Sequence, residues 1–283
     1  MKKRPTILIT TGDPNGIGPE VTRKALKDPC IKSLANFSII EPSDKTGFDA
    51  IKKAVEILKE GKANGIVTAP VNKSAINKSS IHFKGHTEYF AKITHTKNFA
   101  MMFCGGPLRI TIVTRHVPLE EVPALLTQKK IEEAIVLTDV ALRRYFKIHT
   151  PRIGVCSLNP HCGEGGLTGT EERDIILPAI KNVRSKIYGL QGPLSADAIF
   201  YMAYTGKLDA VVSMYHDQGL GPFKMIAFEN GVNVTLGLPF VRTSPTHGTA
   251  YDIAGKGIAN PRSMKEAIKL AAVMCRVDSS KRW

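Results

Sequence analysis

Eight histidines occur in this 283-residue chain. Three of them, His116, His161 and His216, each follow a run that reads as a β-strand. Their neighbours are Pro, Gly or Asp rather than core residues: Arg115-His116-Val117-Pro118, Asn159-Pro160-His161-Cys162-Gly163 and Tyr215-His216-Asp217. Three neutral imidazoles converging from separate loops suit Zn²⁺ or a similar divalent ion with open positions for a substrate. No HExxH or other paired motif backs that reading, and a lone histidine of this kind is more often a hydrogen-bonded structural residue than a ligand. The remaining candidates concentrate in residues 209–257. A strand over 209–214 leads to His216 and Asp217. A second over 232–236 is followed by Arg242, Thr243, Ser244 and His247, and Lys224 lies between the two strands. In open α/β sheets the carboxyl ends of strands are where ligands bind.

The elements that must position these residues follow from hydrophobic periodicity. A buried strand over 6–10 enters the turn Thr11-Gly12-Asp13-Pro14-Asn15-Gly16-Ile17-Gly18. Pro19 then opens a helix with Glu20 in its first turn. Strand, glycine-rich turn and helix N-terminus together predict an anion site. A strand over 37–40 ends near Glu41, which invites a dinucleotide reading. Gly12, Gly16 and Gly18 do not make GxGxxG, however, and Pro14 interrupts the turn, so a Rossmann cofactor site is not expected. Further helices are predicted over 45–61, 89–93, 131–146, 171–180, 194–204 and 263–274. Thr170 is a candidate cap, and Ser263 with Glu266 has capping-box spacing. Strands are predicted over 65–68, 100–104, 108–114 and 152–157. Lys73 follows one of these strands, as an anion contact or a solvated loop lysine. His86 and Thr87 precede the helix at 89, where Thr87 could serve only as a cap. Strands alternating with helices, without repeats or a disordered linker, predict an α/β fold with a mainly parallel or mixed sheet.

Bulk properties narrow the partners. The chain is long enough for one large or two medium domains with a buried core. Its 39 Lys and Arg against 25 Asp and Glu leave a net charge of +14. Those cations are scattered, aromatic residues are few and no nucleic-acid motif occurs, so phosphorylated small molecules are the expected partners rather than nucleic acid. Five cysteines without a CxxC pair suit reduced thiols in a cytoplasm. No apolar run approaches membrane-spanning length, and the run over 7–9 is too short for a signal peptide.

Together the motifs are specific. Gly12-Asp-Pro-Asn-Gly-Ile-Gly-Pro-Glu20, Val67-Thr-Ala-Pro-Val-Asn-Lys73, Gly85-His-Thr-Glu88 and Leu158-Asn-Pro-His-Cys-Gly-Glu-Gly-Gly166 lead the set. Met214-Tyr-His-Asp-Gln-Gly-Leu220, the segment from Asn233 to Ser244, and His247-Gly-Thr249 complete it. Through them the chain resembles, nearly end to end, the 4-hydroxythreonine-4-phosphate dehydrogenase family of pyridoxal phosphate biosynthesis. The resemblance implies two α/β domains around a cleft, like isocitrate and isopropylmalate dehydrogenases. It places one domain over 1–100 plus 232–283 and the other over 101–231. It also implies a homodimer whose metal site draws on both subunits, with His116, His161 and His216 as ligands to Zn²⁺, Mg²⁺ or Co²⁺. His86, Thr87, Lys224, Asn233 and Arg242 are implied to contact the phosphorylated substrate. NAD or NADP is the implied cofactor, bound without a Rossmann fingerprint. One departure is plain: the family carries an additional segment between the second strand and the following helix, where here Ile40-Glu41-Pro42-Ser43-Asp44 joins them directly.

The chemistry that the resemblance implies is oxidation of 4-phosphooxy-threonine at its C3 hydroxyl by NAD(P)⁺, then decarboxylation. Asp197, Asp217 and His247 are the candidates for general base. The nearest alternative is a sister dehydrogenase of 4-phospho-threonate or 4-phospho-erythronate. A phosphate acyltransferase would leave three histidines unexplained. An inactive scaffold or nucleic-acid-binding protein would leave the phosphate motifs unexplained.

Overall fold

The computed structural model describes residues 4–79 and 81–277. The chain divides into two compact units, one running to Lys97 and resuming at Glu229, the other Asn98–Phe228. The first unit begins with β1 (Thr6–Thr10), α1 (Gly18–Lys27), α2 (Pro29–Lys32), β2 (Asn36–Ile40) and α3 (Phe48–Lys59). It continues through β3 (Gly65–Thr68), α4 (Lys73–Lys78) and α5 (His86–Ile93). The second unit contains β4 (Ala100–Gly105), β5 (Leu108–Ile112), α6 (Val122–Leu125), α7 (Gln128–Tyr145) and β6 (Ile153–Cys156). It then adds α8 (Leu177–Arg184), β7 (Leu190–Leu194), α9 (Ala196–Tyr204), β8 (Ala210–Ser213) and α10 (His216–Ala227). The chain returns to the first unit for β9 (Val232–Leu236), β10 (Val241–Pro245) and α11 (Arg262–Val277).

Each unit is a mixed five-stranded arrangement. In the first the order is β2-β1-β3-β10-β9, all parallel except for the antiparallel β9–β10 pair. In the second it is β4-β5-β8-β6-β7, with only β4–β5 antiparallel. The inner strands β3, β6 and β8 are buried along their whole length. Strands covered on both faces read as continuous apolar runs rather than as alternation, and that is why they were legible in sequence. Helix α7 shows the complementary pattern. It buries Ile131, Ala134, Ile135, Thr138 and Leu142 on one face, and Thr127 caps it by accepting from the Lys130 amide.

The structure departs from sequence expectation where propensity and packing disagree. Strand β10 carries Arg242, Thr243 and Ser244, which polarity assigns to a loop, yet it lies between β3 and β9 and is buried throughout. Helix α10 contains Gly219, Gly221 and Pro222, all poor helix formers. Leu220, Phe223 and Ala227 nevertheless hold it on the core over β4 and β5. A side chain at Gly219 would come within 2.6 Å of Ser213 Oγ and 2.8 Å of Ile110 Cγ2, so the close approach requires glycine. Helix α4 and strand β7 were likewise unforeseen, and α5 starts at His86 rather than at 89. Ser263 does not cap α11: its hydroxyl donates to the Gly231 carbonyl and accepts from the Thr246 amide.

At Gly65, a Cβ would lie 2.8 Å from the Val241 carbonyl oxygen and 2.7 Å from Cys275 Sγ. Gly65→Ala is therefore expected to destabilise the protein by roughly 1–3 kcal/mol through overpacking. A lower urea midpoint at unchanged m-value checks this.

Candidate functional site

The residues singled out from sequence form two constellations, one in each unit. In the second unit the three histidines follow the carboxyl ends of three neighbouring parallel strands: His116 after β5, His216 after β8 and His161 after β6. The ends of β5 and β8 are joined beyond the strands themselves. The Val113 amide donates to the Ser213 carbonyl (2.9 Å), and both the Thr114 amide (3.1 Å) and its hydroxyl (2.8 Å) donate to the Met214 carbonyl. This brings the His116 and His216 rings to a centroid distance of 5.2 Å. Gln218 makes the next join. Its Oε1 accepts from the Met214 amide and its Nε2 donates to the Ser157 carbonyl, each at 2.7 Å, so β8 is tied to β6. Nothing in the local sequence marks Gln218 as a side chain that bridges 61 positions.

Other predicted residues fall around this frame. The Asp217 carboxylate lies 2.9 Å from His216 Nδ1 and is otherwise exposed. Asp197 sits in the first turn of α9. Its carboxyl is held below the usual range chiefly by a hydrogen bond with Ser195, with His161 acting through space. His161 and His116 both have positive φ (49° each), a conformation uncommon outside glycine. Lys224 is half-buried, which lowers its ammonium pKa, and lies 5.1 Å from the Phe228 ring centroid. Among the described residues, no three His, Cys, Asp or Glu side chains stand close enough together to hold a metal ion.

The first unit assembles the other group. Arg242 is 3% exposed in the middle of β10. Its guanidinium donates to Thr68 Oγ1 through Nη2 (2.8 Å) and Nε (3.2 Å), and through Nη1 to Thr235 Oγ1 (3.0 Å) and Thr87 Oγ1 (3.4 Å). Burial pulls its pKa down to about 10, against the opposing pull of Glu88. Thr87 therefore serves the guanidinium and not a helix cap. His86, the first residue of α5, is enclosed by Phe83 and Phe90. Burial, reinforced by the positive charges of Arg242 and Lys73, holds its pKa well below the ordinary value. His86 Nε2 and Asn233 Oδ1 are buried without a hydrogen-bond partner. Orphaned buried polar atoms call for a ligand: the imidazole nitrogen can donate to an anion near the enclosed cation, whereas Asn233 Oδ1 can only accept from a ligand donor. His247 is half-buried, with Nδ1 3.0 Å from the Gly248 carbonyl.

In the β1–α1 turn, proposed from sequence as an anion site, four amides already have protein partners: Asp13 donates to the Pro70 carbonyl, Asn15 to Asp13 Oδ1, Gly16 to the Asp13 carbonyl and Ile17 to the Thr249 carbonyl. Asp13 also accepts from the Tyr251 hydroxyl (2.5 Å), which in turn accepts from Asn72 (2.8 Å). The turn binds other loops of its own unit, so its glycines serve packing.

Comparison with known proteins places this geometry. In fold, isocitrate dehydrogenase from Methylococcus capsulatus matches with a TM-score of 0.54 at 16% identity, covering 95% of this chain and 84% of that one. Far closer is 4-hydroxythreonine-4-phosphate dehydrogenase from Klebsiella pneumoniae, with a TM-score of 0.84 at 34% identity over 98% of this chain and 100% of that one. The family model described as pyridoxal phosphate biosynthetic protein PdxA matches residues 30–271. The 4-hydroxythreonine-4-phosphate dehydrogenase of Geobacter metallireducens is 40% identical over 331 residues, covering 98% of this chain and 97% of its own. A protein of Oceanobacillus iheyensis, provisionally named D-threonate 4-phosphate dehydrogenase, is 37% identical over 326 residues, covering 96% and 98%. The chain belongs to the PdxA family of pyridoxal phosphate biosynthetic proteins, and is a dehydrogenase of that family.

Ninety-eight per cent of 283 residues is about 277, so about 54 of the 331 positions aligned with the Geobacter relative carry no residue of this chain. The junction between β2 and α3 is nonetheless a closed loop. Asp44 accepts from the Thr46, Gly47 and Asp49 amides, and Asp49 accepts from the Ser43 amide.

The sign of the His86 shift gives a test. An unfolded imidazole titrates near about 6.5 and the folded one lower, so His86 contributes stability above about pH 6.5 that is lost as pH falls through the folded value. The His86 Cε1–H resonance of the ligand-free protein should still be that of a neutral ring at about pH 6.5, where a free imidazole is half-protonated. A midpoint at the ordinary value would show that the ring is not enclosed.

Proposed function

We propose that this dehydrogenase oxidises 4-phosphooxy-L-threonine at C3 and releases CO₂, forming 3-amino-2-oxopropyl phosphate. The observation that carries the reading is the enclosed Arg242, bonded to Thr87 and Thr235 and acting on His86, in a chain of this family. In the reaction the C3 hydroxyl loses its proton and the C3 hydrogen leaves as hydride to NAD⁺ or NADP⁺. The resulting ketone is β to the carboxylate, so the C–C bond electrons pass to the ketone as CO₂ departs, and protonation gives the product. Arg242 supplies charge-assisted bonds to the phosphate, and Asn233 and His86 orient it. Desolvation around Arg242 strengthens those bonds.

The nitrogen donors of His116, His161 and His216 suit Zn²⁺ or Co²⁺ better than Mg²⁺. Such an ion would supply Lewis acidity, lowering the pKa of the substrate hydroxyl and holding negative charge once CO₂ is lost. Asp217 is placed to orient His216 through Nδ1, which leaves Asp197 and His247 as candidates to accept the hydroxyl proton. A homodimer supports completion of the metal ligands from a second copy. Tyr201 and Tyr204 on α9, with Met225 and Phe228 at the end of α10, are large apolar side chains left more than half exposed, as an interface would need. The same reading places the enzyme in the cytoplasm. Among the described residues no helix is long and apolar enough to cross a membrane.

A second reading is a phosphorylated sugar acid as substrate, favoured by the 37% identity to the Oceanobacillus protein. NAD(P)H formation with 4-phosphooxy-threonine, set against 4-phospho-threonate and 4-phospho-erythronate, separates the two. Turnover with the amino acid that is lost on chelation and restored by Zn²⁺ or Co²⁺ is expected. Turnover confined to the sugar acids would replace the first reading with the second. Arg242→Ala should raise KM for the phosphorylated substrate roughly 10- to 100-fold, the equivalent of one or more charge-assisted hydrogen bonds. An unchanged KM in a folded variant would remove Arg242 from phosphate binding.

A further inference from the structure

The loop after β6 holds an unusual backbone. His161, Cys162, Gly163, Glu164 and Gly165 all have positive φ, from 44° to 79°, so the chain makes a left-handed turn that includes three non-glycine residues. Such conformations persist only where the surroundings over-determine them. What surrounds this turn is Glu172, a carboxylate only 5% exposed. Its Oε1 accepts from the Leu158 and Asn159 amides, each at 2.7 Å, and its Oε2 accepts from Asn159 Nδ2 at 3.0 Å. Asn159 Nδ2 also donates to Glu171 (2.7 Å), while the Ser157 hydroxyl donates to the Asn159 carbonyl (3.0 Å). On the turn itself, a Cβ at Gly163 would lie 2.8 Å from Glu172 Oε2, so the carboxylate packs directly beneath the left-handed residues. Glu172 in turn opens the π-helical segment Glu172–Ile176, a local widening of the helix that often marks functional positions.

From this we infer that Glu172 is a positioning residue: it holds the residues entering the left-handed turn and thereby sets the direction of His161. A buried carboxylate costs stability unless its lone pairs are satisfied. Here backbone and side-chain donors of residues 158 and 159 satisfy them, two positions before the histidine. The role does not extend to the other two histidines. Those are held through the β5–β8 join and Gln218, which Glu172 does not touch in any of these bonds. The consequence for metal affinity rests on the proposed ligand role of His161; the consequence for the turn does not.

The test uses the full chain with Glu172→Gln, which keeps the shape of the side chain but replaces one acceptor by a donor facing the Asn159 amide group. In the metal-free protein, imidazole Cε1–H spectra should show the His161 resonance, assigned by its loss in His161→Ala, displaced and broadened. The His86, His116 and His216 resonances should stay in place. With cobalt added, visible absorption should report an affinity lowered about 10- to 100-fold, the usual effect of removing a group that orients a ligand. Asn159→Ala, which leaves the two backbone bonds to Glu172 intact, should displace the same resonance less and serves as the second variant should Glu172→Gln fail to fold. An unmoved His161 resonance in the folded variants, or equal displacement of all four histidines, would overturn the proposal. Failure of the ligand role reads differently: His161→Ala would then leave cobalt affinity unchanged, whatever Glu172 does to the resonance.

Discussion

Gln218 occupies the point where the parallel ladder of the second unit runs out. Beyond Ser213 and Cys156 the strands can no longer satisfy one another, and an amide 8% exposed takes over. It accepts from the Met214 backbone and donates to the Ser157 backbone. A buried amide of this kind must have its partners, because leaving either group unmade costs about 1–3 kcal/mol. The chain that leaves β8 is thereby forced directly into α10 with His216 as its first residue, and the chain that leaves β6 is held beside it. Thr114 performs the same join between β5 and β8. The loops that carry the histidines are free to differ because the strand ends beneath them are not.

The first unit solves a different problem. A guanidinium in the centre of a sheet is costly unless it is hydrogen-bonded on all sides. Threonines from β3, β9 and α5 supply neutral oxygens for that purpose. Hydroxyls satisfy geometry without cancelling charge, so the positive field survives. It is felt at His86, whose protonation it opposes together with burial. An enclosed cation and a neutral imidazole that can donate through its N–H then present complementary groups to an anion, and neither needs to be desolvated further.

The chain between β2 and α3 forms a self-contained loop. The join from β2 to α3 is made by a loop whose polar groups are paired internally, and the strands that flank Arg242 are untouched by it. Whatever the additional positions contribute in the Geobacter relative, the residues assigned here to chemistry lie on elements that are present.

How much of this was readable beforehand follows from where each signal resides. Buried parallel strands announce themselves as apolar runs, and so β1, β3, β6 and β8 were legible; so was the periodic face of α7. The glycine and histidine motifs were legible because turn chemistry and ligand chemistry restrict residue type locally. Polarity misassigned β10, since a strand bearing Arg, Thr and Ser is stable only when neighbours on both sides supply its hydrogen bonds. Helix α10 was missed because Gly219 and Pro222 argue against it locally, while packing on the core argues for it. In the β1–α1 turn the Asp13 and Ile17 amides bond to Pro70 and Thr249, far along the chain, and the local glycine pattern does not reveal those partners. By itself, then, the amino-acid sequence determined the α/β class, the inner strands and the identity of the candidate residues, all properties of short stretches. Only the tertiary structure decided that His116 and His216 meet, that Arg242 is enclosed by threonines, and that Glu172 underlies His161. Each of those depends on contacts between residues that are distant in the chain, and no local preference encodes them.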